Sequence, residues 1–389
     1  GISRSSLQND ARHQIPGISE YSHRAAAVLL FRRVYLCANW CLENQTYKDS
    51  VLPKLKEEHP ELKGVHSKVL QNVVQQIAHN LKALKALKQN GKRVGRLRKK
   101  RVHSMIYEQS GFSIKGDRLH LSKVGDMPIV ITREIPGVIK QVIIKHNRTH
   151  KWFVSVISET PNTPVPTTGT ACVGIDLNVD NFSTDTEGVV FEHPQNVRKM
   201  EKRLRRAQKK LSRKKKGSNN RKRQRLLVAR IHETVENRRD DFLHKWSRYY
   251  VDRYDYIALE NLSIRDMVET PISGRNKSIL DAAWGKARTF VQYKAENAGK
   301  HVRLVNPAYT TQDCFRCGAR VPKLLSERVH RCPHCGYTIG RDLNAALNIR
   351  KRAFQIGWGT PESTLVEIGT ATPALPVQVP VDEARISPL

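Results

Sequence analysis

The segment CFRCGARVPKLLSERVHRCPHCG, residues 314–336, constrains this chain more than any other stretch. Two Cys-x-x-Cys pairs, Cys314 with Cys317 and Cys332 with Cys335, are separated by 14 residues. Four thiolates at such spacing close a tetrahedral shell around one Zn²⁺. No coordination position is left for water, so the zinc is expected to be structural. Gly318 and Gly336 follow the second cysteine of each pair and let the backbone turn toward sulfur. A redox dithiol is the weaker reading, because two matched pairs are unusual for that chemistry. His330 and His334 lie inside the ribbon but are not read as ligands, since four thiolates suffice. Cys37, Cys41 and Cys172 are scattered, and a total of seven argues for metal binding in a reducing compartment rather than a disulfide framework.

Charge narrows the partner. Lys and Arg number 68 against 36 Asp and Glu, a formal net charge of +32. Self-repulsion of that size favours association with a polyanion, and nucleic acid is the expected one, ahead of a ribosome-like structural role or a membrane surface. Residues 198–225 hold 16 Lys or Arg and a single acid, Glu201. Most charge runs are solvated faces, but here both sides of the helix and its turn are basic. Arg205, Lys209, Lys210, Arg213, Lys214, Lys215, Lys216 and Arg221 are therefore read as phosphate contacts, which position a duplex without reading its sequence. No apolar run reaches the length of a transmembrane helix, so no membrane partner is expected. The first residues lack the apolar centre of a signal peptide and open on Gly, so the start is read as processed, truncated or tagged. Trp40, Trp152, Trp246 and Trp284 are read as core rather than base-stacking platforms.

A chain of 389 residues suits two or three domains. Residues 21–90 read as helical, within a lobe of 21–102 that ends in a basic, Gly-punctuated linker, with Val69, Leu70, Val73, Val74, Ile77, Leu81 and Leu84 on one face and Pro53 and Pro60 breaking the region before it. Residues 103–160 hold short runs between Gly, Asp and Asn turns, the pattern of antiparallel strands in a small barrel or sandwich. A Pro/Thr-rich linker, 161–170, leads to a third block in which apolar strands alternate with helices, an α/β sheet. That block contains a hairpin turning at Thr186–Gly188 and two long helices broken near Gly217. It spans 171–305, is interrupted by the ribbon at 306–338, and resumes in a last helix at 339–355. Residues 356–389 read as a disordered tail.

Three acids sit at element ends. Asp176 ends the strand VGID, Glu260 ends YIALE, and Asp342 opens the helix DLNAALNIRKRAF. Singly, each has an ordinary structural reading: a turn cap, an exposed strand end, a helix N-cap. Their order, Asp after a strand, a hairpin, Glu after a later strand and Asp on a late helix, is that of an RNase H-like fold. Clustered carboxylates repel, and two divalent ions about 3.5–4 Å apart would relieve that repulsion while supporting phosphodiester cleavage. Mg²⁺ suits such a site because it prefers oxygen ligands and keeps its waters.

VGIDLN, SRKKKGSNNRKRQRLLVARIHETVENRRDDFLHKWS, YIALENL, YTTQDCFRCG and RCPHCGYTIGRDLNAALNI together closely resemble the transposon-encoded TnpB (OrfB) family, compact relatives of type V CRISPR effectors. The resemblance runs from about residue 25 to 355 and is densest over 173–350. It implies a multidomain α/β protein: an RNase H-like (RuvC) nuclease domain with an inserted four-cysteine zinc ribbon, a small β-barrel (wedge) domain and a helical recognition lobe. It further implies an RNA-guided DNA endonuclease, with Asp176, Glu260 and Asp342 as catalytic ligands of two Mg²⁺ (or Mn²⁺) ions. The implied partners are a guide RNA and a double-stranded DNA target read beside a short motif. The protein would be a monomer within a ribonucleoprotein, in the nucleoid-associated cytoplasm of a prokaryote. By position, Tyr47, Gln71 and Gln109 resemble residues near the guide–target duplex. The alternatives are a guide-dependent DNA-binding regulator without cleavage, and a guide-free RNase H-like nuclease or transposase. Two departures stand out. The family's opening barrel strand is not evident in GISRSSLQNDARHQIPG, so residues 1–20 are expected to form an arm, a degenerate strand that leaves the barrel without an edge. LDAAWG, residues 280–285, replaces the family's usual SDAGWG, so lid behaviour near the nuclease cleft is expected to differ.

Overall fold

The computed structural model describes residues 11–14, 21–95, 97, 104–160, 169–264, 267, 273–324 and 326–356. The expected tail beyond Ile356, most of the 161–170 linker and most of the 1–20 arm lie outside the described residues. The chain divides into two compact units, Gly1–Asn162 and Thr163–Leu389. Among the described residues no helix is long and apolar enough to cross a membrane.

The first unit combines three helices with two sheets. Helix α1 spans Tyr21–Glu43, α2 Leu52–Glu58 and α3 Ser67–Gln89. Pro53 sits in the first turn of α2, where its missing N–H leaves no bond unmade. The apolar stripe of α3 buries Val69, Leu70, Val74 and Ile77, with Val73 and Leu81 packed at its margin. Strands β1 (Ala11–Gln14), β2 (Ser104–Glu108), β6 (Val138–His146) and β7 (Trp152–Glu159) form one sheet in the order β1-β7-β6-β2. Strands β3 (Phe112–Lys115), β4 (Arg118–Leu121) and β5 (Gly125–Pro128) form a second, three-stranded meander.

Among the described residues the strands expected as a small barrel or sandwich make two sheets; a 3₁₀ turn at Gln109–Gly111 ends β2 before β3 begins. The opening strand is present, since β1 pairs antiparallel with β7, Ala11 opposite Val156 and Gln14 opposite Phe153. Edge pairing uses backbone N–H and C=O groups, so it needs no apolar alternation in the sequence. The helices and strands also share a single core. Leu30, Val34, Val69 and Leu70 of the helices belong to the same cluster as Tyr107, Val142, Ile144 and Val154 of the sheet.

The second unit is built on strands β8 (Cys172–Leu177), β9 (Asn181–Asp185), β10 (Val190–Glu192), β11 (Tyr256–Glu260) and β12 (His301–Val305). Their order is β10-β9-β8-β11-β12. The first three are antiparallel neighbours, whereas β11 runs parallel to both β8 and β12. Helices α4 (Asn196–Ser212) and α5 (Asn219–Arg253) form the long hairpin expected to break near Gly217, and Gly217 has φ +87° in that turn. Helices α6 (Ser273–Ala282) and α7 (Trp284–Asn297) follow β11. The last elements are the short strands β13 (Val329–Arg331) and β14 (Thr338–Gly340) and helix α8 (Arg341–Gln355).

Phe242, Trp246 and Tyr250 of α5 pack on Phe182 and Phe191 of the sheet, and Trp246 Nε1 donates to Ser183 Oγ at 2.9 Å. Trp152, Trp246 and Trp284 are buried as expected. Trp40 is half-buried, and its Nε1 donates to Glu58 at 3.1 Å. The β9–β10 hairpin turns through Gly188 at φ +79°. Asp185 there accepts from the backbone N–H of Glu187 and Val189, each at 2.9 Å, and from the Tyr250 hydroxyl at 3.2 Å.

One glycine sets the distance between β8 and α8. A Cβ on Gly174 would lie 2.2 Å from the carbonyl oxygen of Ala346 and 2.7 Å from the backbone nitrogen of Arg350. The strand and the helix therefore approach more closely than any side chain allows. This contact brings the helix that carries Asp342 against the strand that carries Asp176.

Candidate active site and metal centre

The parallel register of β11 on β8 places Leu259 opposite Ile175. One residue further, Glu260 and Asp176 stand at the same end of neighbouring strands, 6 % and 4 % exposed. Asp342 enters from the first turn of α8. Each carboxylate has its own polar neighbour. Asn178 Nδ2 donates to Asp176 at 3.4 Å, and Thr310 Oγ1 donates to Glu260 at 2.6 Å. Arg341 Nε donates to Asp342 at 3.1 Å.

The three acids share one field. Burial pushes the Asp176 carboxyl well above its ordinary range, and the charges of Glu260 and Asp342 push it further. Asn178 and Arg341 oppose that rise only in part. Burial also raises Glu260, to about 7, against the lowering effects of the Thr310 hydrogen bond and the Arg352 charge. Two buried carboxylates and a half-buried third, with Asp176 pushed up by the charges of the other two, are a donor set suited to hard divalent cations such as Mg²⁺ or Mn²⁺.

The cysteines are drawn together more tightly. Cys314 Sγ lies 3.7 Å from Cys335 Sγ, and Cys317 Sγ lies 3.6 Å from Cys332 Sγ. A tetrahedron with Zn–S bonds of about 2.3 Å has edges of about 3.8 Å, so these two pairs stand at the spacing of zinc ligands, and all four sulfurs lie within 4.8 Å of one another. Backbone bonds fix each pair: Gly318 N–H donates to Cys314 O at 2.8 Å and Gly336 N–H to Cys332 O at 3.0 Å. Both glycines take positive φ, +78° and +70°. Among the described residues this is the one set of potential metal-ligating side chains whose donor atoms all lie within 4.8 Å of one another. His330 is buried with Nδ1 against Lys323 Nζ, and His334 is exposed; neither joins the cluster. Cys37, Cys41 and Cys172 stand apart from it as free thiols.

Sequence reading missed the polar face of α8. Asn344, Asn348 and Arg352 follow one another at intervals of four residues and grip the segment that leads into the ribbon. Asn344 is fully buried and Asn348 nearly so, among Ala345, Ala346, Leu347 and Ile349. The available signal was a pair of amides at helical spacing in the otherwise apolar stretch 343–349, a costly arrangement unless each amide finds partners.

On the basic hairpin, Lys209, Lys210, Arg213, Lys215 and Lys216 are exposed and Lys214 is half-buried. Arg205 is exposed and paired with Glu201 at 3.1 Å. Arg221 has another task. Its Nη1 donates to Leu211 O at 2.7 Å and Lys214 O at 2.8 Å, which pins the carbonyl end of α4. Tyr47, Gln71 and Gln109 belong to the first unit. Tyr47 packs partly against its core, Gln71 is half-buried on α3, and Gln109 begins the 3₁₀ turn after β2.

Comparison with known proteins finds relatives over parts of the chain. A family model, OrfB_IS605, described as "Probable transposase", matches residues 154–270, and the "Cas12f1-like, TNB domain" model matches residues 284–349. Over these parts the chain resembles OrfB-type and TnpB-like proteins. A Streptomyces pristinaespiralis protein named "Putative RNA-guided DNA endonuclease" is 34% identical over 65% of this chain and 63% of its own length. The Escherichia coli (strain K12) protein named "Putative RNA-guided DNA endonuclease InsQ" is 33% identical over 60% of this chain and 62% of its own. The chain thus spans somewhat less than two thirds of these TnpB-type relatives. A solved chain in a Cas12f1-sgRNA-target DNA complex shares the fold, with a TM-score of 0.54 at 14% identity, covering 85% of this chain and 83% of that one.

Proposed function

We propose that this TnpB relative is an RNA-guided DNA endonuclease whose RuvC-type centre is formed by Asp176, Glu260 and Asp342. The observation that carries the reading is the convergence of these three acids. Two stand on adjacent parallel strand ends and one on a helix held against the first strand at Gly174. The named relatives add the class of reaction and its guide.

In this reading the three carboxylates hold Mg²⁺ or Mn²⁺. Two such ions, when bound, supply an activated water and stabilise the leaving oxygen. The protein's own part is positional. β8 and β11 fix two ligands by their shared register, and α8 brings the third. Arg341, beside Asp342, offers a positive charge at the edge of the site. The exposed bases of α4 and of the turn after it bind phosphates of the guide or target, while base pairing supplies sequence specificity. Zn²⁺ in the four-cysteine cluster holds the ribbon that precedes α8. Tyr47, Gln71 and Gln109 lie at the duplex, and the short motif beside the target is read in the first unit.

The test begins with the protein purified from cells carrying its native locus and with the RNA that remains bound. A discrete RNA ending in a variable segment, and cleavage of DNA matching that segment, are expected. Asp176→Ala is expected to abolish cleavage while RNA and DNA binding persist. Cleavage at the wild-type rate in that variant refutes the site, and random RNA fragments favour a guide-free nuclease.

A further inference from the structure

The segment 306–315 runs from the end of β12 to the first cysteine pair, and α8 holds it at both ends. Arg352 Nη1 donates to Asn306 O at 2.8 Å and Ala308 O at 2.7 Å, and its Nη2 pairs with the Asp313 carboxylate at 2.8 Å. One turn earlier, Asn348 Nδ2 donates to Thr310 O at 2.9 Å and Asp313 O at 2.7 Å. A further turn back, Asn344 Nδ2 donates to Asp313 O at 2.9 Å, and its Oδ1 accepts from Phe315 N–H at 3.1 Å. Asp313 and Phe315 are the two neighbours of Cys314. The far end of the segment is therefore tied both to the helix and to the cysteine cluster.

The middle of the segment reaches the acids. Thr310, 3 % exposed, brings its hydroxyl to 2.6 Å from Glu260 Oε1. Pro307 O, at 3.2 Å, competes for the same proton. The carboxyl oxygen is nearer, so it accepts the stronger hydrogen bond. Asn348 spends both amide hydrogens on the segment, one of them on Thr310 itself. An apolar residue of similar size would fill the space among Ala345, Ala346, Leu347 and Ile349 without any desolvation of an amide. The two amides are better explained by the geometry they impose than by packing.

We propose that Thr310 and Asn348 are positioning residues that fix the Glu260 carboxylate for a divalent cation, with the four-cysteine ribbon as their anchor. The inference rests on reading Glu260 as a cation ligand. A carboxylate ligand must be held to within a fraction of an ångström, and partners one step removed from a metal set its affinity by about 10- to 100-fold. Asp313 and Phe315 flank Cys314, so a zinc-free ribbon that loosened would pass that change along the segment to Thr310. The structural metal then affects the chemical site without contributing a ligand to it.

The experiment is a Mn²⁺ titration of the full chain, with free Mn²⁺ counted by electron paramagnetic resonance. Binding lost in Asp176→Ala defines the carboxylate site and subtracts all other sites. Thr310→Val is expected to weaken that binding by about tenfold or more. Thr310→Ser, which restores the hydroxyl, is expected to recover it, with zinc content and thermal midpoint unchanged in both. Asn348→Leu is expected to weaken binding in the same direction; if that variant fails to fold, the Thr310 pair decides the outcome. Zinc-stripped chain is expected to bind Mn²⁺ more weakly at the same site. Equal Mn²⁺ affinity in wild type, Thr310→Val and Thr310→Ser overturns the proposal while the acid site stands. Equal binding in wild type and Asp176→Ala overturns the acid site itself, and this inference with it.

Discussion

The four cysteines and the three carboxylates both flank α8, and Asp342 follows Cys335 by seven residues, yet the two clusters are assembled by different means. The sulfurs already stand at tetrahedral spacing because backbone hydrogen bonds and two left-handed glycines place them. The carboxylates are brought to one place by strand register and helix packing, but no backbone turn draws their oxygens together. Each is instead held by a separate partner: Asn178, Thr310 or Arg341. Neighbouring carboxylates raise one another's energy when ionised, so packing alone does not draw them together. The ribbon is therefore a site shaped by its own backbone turns, and the acid cluster is one held by separate partners.

The largest test strikes the shaped site. Cys317→Ser, or a strong chelator, is expected to take zinc content from about one per chain to none and to cost on the order of 5 kcal/mol, read as a fall in thermal midpoint. A zinc-free chain melting with the wild type would break the contrast. The next test strikes the acid cluster through pH. Glu260 has an ordinary value of 4.5 and is raised to about 7 in the folded chain. Below 4.5 it is protonated in both states. Between 4.5 and 7 only the folded state keeps its proton. Metal-free stability is thus fullest at low pH and declines as pH rises through that window, by on the order of 3 kcal/mol. Urea midpoints at about pH 5 and about pH 8 measure the decline, and Glu260→Gln is expected to flatten it. A stability that climbs over this window would show that the carboxylates do not burden the fold.

A smaller effect separates the clusters. Gly174→Ala is expected to cost about 1–3 kcal/mol, because the new Cβ must push α8 from β8. Cleavage should fall while zinc content holds, since the ribbon's cysteines lie outside that contact. The smallest effect leaves both clusters alone. Ala283 precedes α7 at φ +53°, in the left-handed region, at the position where the family's SDAGWG carries Gly. Ala283→Gly is expected to raise stability by about 1 kcal/mol, with zinc content as in the wild type.

Much of this contrast was legible in the sequence for a physical reason. Cys spacing is a local geometric code, and the turns that set it span only a few residues. The break between α4 and α5 announced itself at Gly217, and the acids at the ends of apolar runs marked strand ends facing a common edge. Non-local partners were not legible. Thr310 reads as an ordinary loop residue until β12 returns beside β11 and brings it to Glu260. Strand β1 escaped because an edge strand is defined by backbone pairing rather than by apolar residues. The shared core of the first unit escaped because helical and strand periodicities each look self-sufficient when read separately.

Arg221 has a last consequence. By clasping two carbonyls at the end of α4, it makes the run Arg213–Lys216 a stiff prong instead of a whip. A phosphate chain that lands on this tip meets cations whose loop is already ordered, so contact there sacrifices less backbone freedom than a loose basic tail would. The charge of this turn therefore has a fixed address, which the proposed phosphate contacts would use.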